Sequence, residues 1–346
     1  MQGLPSGYQC LNSSQPWFCF WTLHSLYLLG KEIDCEVENK VINKIASCQN
    51  KGGGYGGSPS DISHIISSFS AICSLVIVGT QKAYESIDRN TMIQWLLQMK
   101  NSDGSFTVHQ GGEIDLRGSY CAIVVAFLLD ILTPDLVENV ADFVSRCQNY
   151  DGGFGPYPGV ESHGSYSFCA IAVLDILNKT ESIDLDSFTG YVTSRQMSLE
   201  GGFSGRINKL VDGCYSYWVG ATFIILHRAL GLPPTSDFLF DRMALQKYII
   251  LCCQKNNVGG LRDKPGKSPD YYHTCYCLSG LSLAQNGVVN LLSNSSQDLD
   301  STATLGYKLF NNENLIFGSQ KNAVPEINPV FNISPDKLNN WVKYFK

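Results

Sequence analysis

The chain has 346 residues, of which 44% are hydrophobic, and its formal net charge is −6. This composition excludes general disorder, because enough apolar surface is present to build a large core. The acidic balance, with a pI near 5.5, argues against a nucleic-acid partner bound over a broad basic surface. Any site for an anion must therefore be built locally.

The thirteen cysteines are odd in number and scattered, mostly inside apolar runs such as SFCAIAVLDIL. A disulfide framework is disfavoured, and a reducing, cytoplasmic compartment is expected. No apolar stretch reaches the roughly 18 to 20 residues that a membrane span needs, and the first residues do not read as a signal peptide. We therefore expect a soluble protein with no membrane span.

The predicted elements are helices with ordinary start and stop signals. Pro16 stands near the start of the first apolar segment, and Gly30 stands at its end. Gly79 ends a later helix, and Ser334 and Pro335 open the last one. Proline in the first turn and glycine after the last turn are typical of helix boundaries. Alternation of period two is nearly absent, so an all-α fold is predicted.

Five short stretches along the chain share a glutamine followed by a glycine turn. In chain order they read CQNKGGGYGG, LQMKNSDGSF, CQNYDGGFGP, RQMSLEGGFSG and CQKNNVGGL. Their glutamines are Gln49, Gln98, Gln148, Gln196 and Gln254, at intervals of 48 to 58 residues. A period in this range is the signature of a repeat architecture.

Two apolar segments of helix length lie between successive glycine turns, which predicts one helix pair per repeat. Segments 170–177 and 222–230 are apolar on most faces, so their helices should be buried on more than one side. A closed ring of helix pairs satisfies this, with inner helices around a cavity; an open solenoid is the alternative. Residues 1–346 are predicted to form one domain, and the polar residues 286–322 a loop insertion.

Three possible metal ligands follow or precede glycine turns. Asp212 and Cys214 lie two residues apart, and His273 opens an apolar helix far downstream. Three protein ligands would leave a fourth position for a reactant, as in catalytic zinc sites. The competing set is His273 with Cys275 and Cys277, and the plain alternative is a turn aspartate, a buried thiol and a core histidine.

Basic residues also recur at corresponding turns. They are His163, Arg206, Lys209, Lys264 and Lys267. If the turns share one rim, these groups converge on a small polyanion such as a diphosphate; solvated surface cations are the alternative. Aromatic residues begin or lie early in several helices and could line an apolar cavity. They are Trp17, Trp21, Tyr120, Tyr166, Tyr215 and Trp218.

Blocks along nearly the whole chain resemble the β subunits of the protein prenyltransferases, especially the farnesyl-transferring members. They include QPWFCFWTLHSLYLL, DGSFTVHQGGEIDLRGSYCA, GVESHGSYSFCAIAVL, SRQMSLEGGFSGRINKLVDGCYSYW, GGLRDKPGKSPDYYHTCYCLSGLSLAQ and PVFNISPDK. The resemblance implies an (α/α)6 toroid that pairs with a separate helical α subunit. It also implies prenyl transfer from farnesyl diphosphate to the cysteine of proteins ending in a CaaX sequence, such as small GTPases.

The same resemblance implies roles for individual residues. Asp212, Cys214 and His273 would bind one zinc ion, and Asp263 would help to place magnesium on the diphosphate. The implied diphosphate-binding residues are His163, Arg206, Lys209, Tyr215 and Lys264. The implied isoprenoid-binding residues are Arg117, Tyr120, Tyr166, Cys169 and Trp218. The implied walls for the CaaX tail and for donor length are Trp17, Trp21, His64, Tyr272 and Tyr276.

Bulky Trp17 and Tyr276 resemble the pocket floor of the farnesyl-transferring members, so a donor of twenty carbons should not fit productively. Type I and Rab geranylgeranyltransferase β subunits are the near alternatives. One departure stands in the stretch SHIISSFS, where Ile66 and Ser67 replace a small residue and a proline of the family. Which terminal residue of a CaaX tail is accepted is therefore left open.

Two more distant alternatives share the helical ring. Terpene cyclases need an acidic DxDD-type motif, and the chain offers only DLDS at 298–301, inside the polar segment. A non-catalytic scaffold would have the repeat but no reason to place Asp212, Cys214, His163, Arg206 and Lys209 together. Bound zinc would separate an enzyme of the prenyltransferase kind from both.

Overall fold

The computed structural model describes residues 6–233, 238–290, 303–311 and 315–346. Its α-helices are α1 (Gln15–Leu28), α2 (Cys35–Ser47), α3 (Ile65–Val78), α4 (Gln81–Glu85), α5 (Arg89–Met99), α6 (Leu116–Leu128), α7 (Pro134–Val137), α8 (Val140–Arg146), α9 (Gly164–Ile176), α10 (Leu185–Thr193), α11 (Tyr215–Ala229), α12 (Arg242–Lys247), α13 (Tyr271–Gln285) and α14 (Pro335–Phe345). A π-helical turn, Tyr248–Cys253, continues α12, and short 3-10 helices cover Ser6–Ser14, Thr180–Ser182, Ala303–Leu305 and Gln320–Asn322. The strands are β1 (Asn286–Asn290) and β2 (Tyr307–Asn311).

Six of the described helices form a closed ring, as the sequence predicts. Helices α1, α3, α6, α9, α11 and α13 each pack against the next, and α13 packs back against α1. Helices α3, α6 and α9 bury almost every residue; α3, for example, exposes essentially none of its length beyond the first turn. Helices α11 and α13 bury most of their residues, and α1 buries fewer than half. Helices α2, α8, α10, α12 and α14 pack against members of the ring. They bury one stripe only, as amphipathic outer helices do.

The repeated glutamines tie neighbouring repeats together. Gln148 donates from Nε2 to the carbonyl of Asp184 at 2.9 Å and accepts from the Asp184 amide at 3.0 Å. Gln196 makes the same pair of hydrogen bonds to Asp241. Asp184 and Asp241 cap the next outer helices, α10 and α12. Each glutamine therefore sets where the following helix begins.

The glycines of the turns allow each turn to lie directly against the next outer helix. Gly152 has a φ of +85°, and a Cβ there would lie 2.0 Å from the carbonyl oxygen of Ser187. No side chain fits in that space, so only glycine satisfies both the conformation and the packing. The predicted repeat is thus seen in the backbone contacts as well as in the amino-acid sequence.

The predicted helix boundaries are confirmed. Pro16 lies in the first turn of α1, and Gly30 follows that helix with a φ of +64°. Gly79 ends α3 in the left-handed conformation, and Ser334 precedes α14, which begins at Pro335.

The end of the ring at which the inner helices begin is called the mouth, and the opposite end is called the far end. Residues 328–333 close the far end. Phe331 stacks on Phe127 of α6 with ring centroids 5.1 Å apart. The Asn332 side chain meets His24 of α1 at 2.9 Å. The far end is not featureless, because a cavity of about 530 Å³ lies between the ends of α1 and α3 and the start of α14.

The segment 286–322 contains strands, which corrects its prediction as a loop throughout. Strands β1 and β2 pair antiparallel, with Asn286 opposite Asn311. Tyr307 donates to the Asp175 carboxylate of α9 at 3.0 Å, and the Arg228 guanidinium group of α11 lies over the Tyr307 ring, 5.0 Å from its centroid. The segment is thus anchored to α9 and α11. Residues 291–302 and 312–314 lie outside the described residues, and with them the DLDS sequence.

Among the described helices, none is both long enough and apolar enough to cross a membrane.

Candidate active site

The loops that lead into α11 and α13 are joined at the mouth. The Gly213 amide donates to the carbonyl of Asp263 at 2.8 Å. A Cβ on Gly213 would lie 2.5 Å from Cys277 Sγ and 2.9 Å from the Arg262 carbonyl oxygen, so the two loops are in direct contact. This contact brings residues from separate repeats to one place.

Asp212, Cys214 and His273 form a cluster at this junction, as the sequence predicts. One ligand atom from each residue lies within 4.8 Å of the other two. Asp212 Oδ1 also accepts the Cys214 amide at 2.9 Å, which fixes the carboxylate beside the thiol. Cys214 is only 5% exposed. Within the part of the chain that the structure describes, this is the one cluster of three such ligands.

Asp270 orients the histidine of the cluster. Its carboxylate caps α13 by accepting the His273 amide at 2.7 Å, and its other oxygen lies 2.7 Å from His273 Nδ1. In the neutral ring the proton then resides on Nδ1, and Nε2 presents a lone pair. Sequence reasoning missed Asp270, although an aspartate three residues before a histidine is a visible capping signal.

The same geometry fits a metal ion. His273 Nε2 is buried and makes no hydrogen bond, and it lies 3.2 Å from Asp212 Oδ1. A lone pair that faces a carboxylate is unfavourable, so this contact calls for a positive charge, either a proton on Nε2 or a metal ion between the two atoms. A carboxylate, a thiol and an imidazole are a donor set that suits zinc, and a carboxylate behind the histidine is the usual support of such a ligand.

The electrostatics of the metal-free cluster agree with this assignment. Burial alone would lower the pKa of His273, but Asp212 and Asp270 outweigh it and raise that pKa to about 9. Burial would raise the pKa of Asp212, but His273 and the Cys214 amide lower it to about 2. Burial and the nearby Asp212 charge raise the pKa of the Cys214 thiol. The ligand atoms thus form a charge-rich cluster that a cation would neutralise.

The competing set of His273, Cys275 and Cys277 does not form in the described structure. Cys275 and Cys277 are fully buried among apolar residues. Cys277 Sγ lies 3.9 Å from the Arg262 carbonyl oxygen. These two thiols pack as small hydrophobic side chains.

A cation-lined pocket of about 270 Å³ lies next to the cluster. Its lining residues are Gly205, Arg206, Lys209, Leu210, Asp212, Tyr215 and Lys264. Arg206 pairs with Glu161 at 2.9 Å, and Lys264 pairs with Asp263. Lys267, which the sequence also placed in this group, does not line the pocket. Three cations from two repeats therefore converge on one space, which can hold an anion such as a diphosphate.

His163 and Tyr215 form a hydrogen-bonded pair at the edge of this pocket. His163 caps α9, and its Nδ1 accepts the Ser165 amide at 3.1 Å. The neutral ring therefore carries its proton on Nε2, which lies 3.1 Å from the Tyr215 hydroxyl. Nε2 then donates to the tyrosine oxygen, and the phenolic hydrogen remains available for a ligand. Burial, together with the nearby Arg206 charge, lowers the pKa of His163 to about 4.

Asp263, the residue predicted to help to place magnesium, lies beside the cation-lined pocket. Both of its carboxylate oxygens contact the Lys264 ammonium group. Magnesium is usually held by one or two carboxylates together with substrate phosphates and waters, so its placement by Asp263 stays a prediction.

A second cavity of about 280 Å³ opens beside the cluster of Asp212, Cys214 and His273. Aromatic side chains form most of its lining. Its lining residues are Trp17, Trp21, Ile66, Phe69, Arg117, Tyr120, Cys121, Ser165, Cys169, Trp218, Tyr272 and Tyr276. Trp218 Nε1 donates to the Tyr272 hydroxyl at 3.1 Å, and its ring lies 4.6 Å from that of Tyr276. The cavity suits a hydrocarbon ligand.

Most residues predicted for the isoprenoid and the CaaX tail line this ring-lined cavity, but two do not. Tyr166 lies beside it, between Arg117 and His163. His64 caps α3, and its ring faces His109 at 5.5 Å. Sequence reasoning missed Phe69, Cys121 and Ser165, because aromatic and small residues on apolar helices carry no signal of which face they occupy.

Comparisons with known proteins identify the family. A family model described as the prenyltransferase alpha-alpha toroid domain matches residues 1–333. The protein farnesyltransferase subunit beta of Pisum sativum is 35% identical, over 96% of this chain and 89% of that protein. The geranylgeranyl transferase type-1 subunit beta of Arabidopsis thaliana is 36% identical, but over 64% of this chain and 59% of that protein.

A solved structure shares the fold. The Candida albicans protein geranylgeranyltransferase-I complexed with GGPP superposes with a TM-score of 0.77, covering 99% of this chain and 95% of that chain at 22% identity. At this identity the likeness shows the fold alone, an α-α toroid. Taken with the whole-length sequence matches, it means that the chain belongs to the prenyltransferase α-α toroid family and, within it, to the protein farnesyltransferase β subunits.

Proposed function

We propose that this chain is the catalytic β subunit of a zinc-dependent protein farnesyltransferase that modifies proteins ending in a CaaX sequence. The observation that carries this proposal is the adjacency of three features: the Asp212, Cys214 and His273 cluster, the cation-lined pocket and the ring-lined cavity. The cluster suits a metal-bound thiol, the cation-lined pocket suits a diphosphate, and the ring-lined cavity suits a hydrocarbon chain.

In the reaction, a bond forms between the acceptor sulfur and C1 of the isoprenoid, and the bond from C1 to the diphosphate oxygen breaks. The thiol proton passes to solvent, and diphosphate leaves with the bonding electrons. Negative charge therefore grows on the diphosphate in the transition state. Arg206, Lys209, Lys264 and the Tyr215 hydroxyl point into the pocket where that charge would develop, and preorganised donors of this kind lower the barrier.

Asp212, Cys214 and His273 would hold a zinc ion. Zinc bound there would lower the pKa of the acceptor thiol. A free thiol has a pKa near 8.5, so it is mostly protonated at neutral pH. Asp270 keeps the His273 ring oriented and its Nε2 lone pair directed toward Asp212. The acceptor sulfur is thus expected beside the pocket that receives the diphosphate.

The ring-lined cavity would hold the isoprenoid and the CaaX tail side by side. Tyr120, Cys169 and Trp218 would contact the isoprenoid, with Arg117 and Tyr166 nearer the mouth. Trp17, Trp21, Tyr272 and Tyr276 would contact the tail and limit donor length, with His64 at the edge. The bulk of Trp17 and Tyr276 in the lining of this cavity supports fifteen carbons over twenty.

An α subunit and a cytoplasmic location belong to the same proposal. The matched relatives are named as β subunits, which supports a second, α subunit for this chain. All of the cysteines are unpaired in the structure, which supports a reducing compartment. Magnesium with the diphosphate stays a prediction from the family resemblance.

The test is a transfer assay on the chain co-purified with a farnesyltransferase α subunit. Metal analysis should give about one zinc per β chain, and a CaaX peptide should be modified faster with farnesyl diphosphate than with geranylgeranyl diphosphate. Faster transfer of the twenty-carbon group would favour a geranylgeranyltransferase instead. Zinc-free protein without transfer would reject an enzyme of this kind.

A further inference from the structure

One main-chain carbonyl, that of Asp263, stands where the two joined loops of the mouth meet. It accepts the Gly213 amide at 2.8 Å and the Tyr248 hydroxyl at 3.0 Å. A carbonyl oxygen has two lone pairs, so two donors fix its direction as well as its position. Tyr248 belongs to neither loop. It begins the π-helical turn that continues the outer helix α12, and only 2% of its surface is exposed.

The π-helical turn is what brings Tyr248 to this carbonyl. The Gln254 amide donates to the carbonyl of Ile249, five residues back, at 3.2 Å. Residues five apart point about 140° apart around an α-helix, whereas a turn closed from i to i+5 places them on one face. Tyr248 and Cys253 accordingly face the same atom, because Cys253 Sγ also lies 3.6 Å from the Asp263 carbonyl oxygen. Turns of this kind are frequent at functional sites.

The preceding repeat has a tyrosine in the corresponding place that lacks this bond. Tyr191 of α10 packs on Gly153, where a Cβ would lie 2.7 Å from its ring. Tyr248 packs on Gly202 in the same way, at 2.6 Å. Within the part of the chain that the structure describes, the Tyr191 hydroxyl is buried and has no main-chain partner. Packing on a glycine turn therefore needs the ring, and the hydroxyl of Tyr248 serves something else.

The Asp263 carbonyl connects the cation-lined pocket to the candidate zinc ligands. Its oxygen belongs to the planar peptide unit that ends at the Cα of Lys264, and Lys264 lines that pocket. The Gly213 amide belongs to the planar unit that begins at the Cα of Asp212. The Lys264 ammonium group is in turn held by the Asp263 carboxylate. The direction of this one carbonyl therefore sets how far the Lys264 charge stands from the zinc ligands.

We propose that Tyr248 is a positioning residue for prenyl transfer, whose hydroxyl holds the Asp263 carbonyl and so keeps Lys264 at a fixed place beside the candidate zinc ligands. The leaving diphosphate then meets the Lys264 charge next to the point where the acceptor sulfur attacks. Rates of such reactions depend steeply on the placement of the groups that stabilise the transition state. This inference rests on the proposed function, and it gives a part in the reaction to a buried residue of an outer helix.

The test is a double-mutant cycle of Tyr248→Phe and Lys264→Ala on the enzyme purified with its α subunit. Phenylalanine keeps the ring on its glycine turn and removes only the hydroxyl. Tyr248→Phe should slow single-turnover transfer to a CaaX peptide about three- to tenfold, the usual effect of losing one neutral hydrogen bond. It should weaken equilibrium binding of farnesyl diphosphate in the same direction. With Lys264→Ala already present, Tyr248→Phe should change both quantities by less than about twofold, because the group that it positions is gone.

Tyr191→Phe is the matched control, since it removes a hydroxyl from the corresponding place in the preceding repeat. It should leave the transfer rate and the donor affinity unchanged. The inference alone would be overturned if Tyr248→Phe behaves like the unmodified enzyme, if its effect is the same with and without Lys264, or if Tyr191→Phe has an equal effect. Absence of transfer to every CaaX peptide by the unmodified enzyme would overturn the proposed function and this inference together.

Discussion

His24 and His273 both lie on inner helices, but at opposite ends of the ring. At the far end, His24 is fully buried, its one hydrogen-bond partner is the neutral Asn332, and burial lowers its pKa to about 4. At the mouth, burial acts on His273 in the same sense, but two carboxylates raise its pKa to about 9. Both histidines lie on the same scaffold, and the charged neighbours of His273 are what distinguish the proposed metal ligand from the packing residue His24.

The contrast extends to the surrounding residues. The segment 328–333 that closes the far end accepts hydrogen bonds from tyrosine hydroxyls through its main-chain carbonyls: Tyr120 donates to Val330 at 2.7 Å, and Tyr217 donates to Pro329 at 3.0 Å. At the mouth, His273 Nε2 has no hydrogen-bond partner, and cations line an open pocket. What distinguishes the mouth is its charge, two carboxylates beside His273 and a pocket lined by cations, and the predictions below test that difference.

The largest effect is expected from removal of the thiol ligand. Cys214→Ala should reduce bound zinc well below one per chain and slow transfer by more than about a hundredfold, because even residues that only support metal ligands typically cost 10 to 100-fold. Metal analysis and single-turnover transfer measure this. Cys275→Ala, at a buried thiol outside the cluster, is the control. Full zinc content with full turnover in Cys214→Ala would remove Cys214 from the metal site.

Lys209→Ala should weaken farnesyl diphosphate binding or transfer by about 1.5 to 3 kcal/mol, the usual value of a charge-assisted contact. Equilibrium binding of the donor and single-turnover rates separate the two effects. Lys51→Ala, at an exposed lysine of the first glycine turn, should change neither. If both quantities stay unchanged in Lys209→Ala, the cation-lined pocket does not receive the diphosphate through this residue.

Asp270→Asn should lower zinc affinity by about 10 to 100-fold. Asparagine caps a helix nearly as well as aspartate, so the start of α13 should persist while the negative charge behind His273 is lost. Competition with a chelator measures the affinity. Asp184→Asn, the same change at the cap of α10, is the matched control, and an equal response of both variants would argue for a general effect on folding.

Trp17→Thr should shift donor preference toward the twenty-carbon diphosphate by about tenfold, as expected for an enlarged apolar pocket. The Trp17 ring lies 5.4 Å from that of Trp21, so its removal opens the ring-lined cavity rather than the surface. Relative kcat/KM for the two donors measures the shift. Cys19→Thr, two residues along α1 and outside the cavity lining, should leave the preference as it was; no shift in Trp17→Thr would mean that another residue limits donor length.

The smallest effect is expected at the far end. Because the pKa of His24 in the folded state, about 4, lies below its unfolded value near 6.5, the unfolded chain binds more protons in this range. Stability should therefore fall as pH decreases from about 6.5 to about 4, with a slope of at most about 1.4 kcal/mol per pH unit from this residue. Urea unfolding at several pH values should show a shallower slope in His24→Phe, with His163 supplying part of what remains. An identical slope in the variant would show that His24 is not the titrating group.

Much of the architecture could be predicted because it is written in local patterns. The glutamine and glycine turns recur at a visible period, and Pro16, Gly30 and Gly79 mark helix ends where the structure has them. The strands β1 and β2 were not predicted. Their segment is polar and rich in asparagine and serine, and its pairing depends on contacts with other parts of the fold, such as the bond from Tyr307 to Asp175.

Local sequence likewise determined which functional groups stand at each turn. Asp212 and Cys214 place a carboxylate and a thiol two residues apart, and basic residues surround them. Tertiary structure alone decided which of these groups meet. His273 reaches Asp212 because the Gly213 amide binds the Asp263 carbonyl between two repeats, and Trp17 and Tyr276 line one cavity because α13 closes the ring against α1. Contacts between distant segments arise from the packing of whole helices, and no short stretch of sequence records that packing.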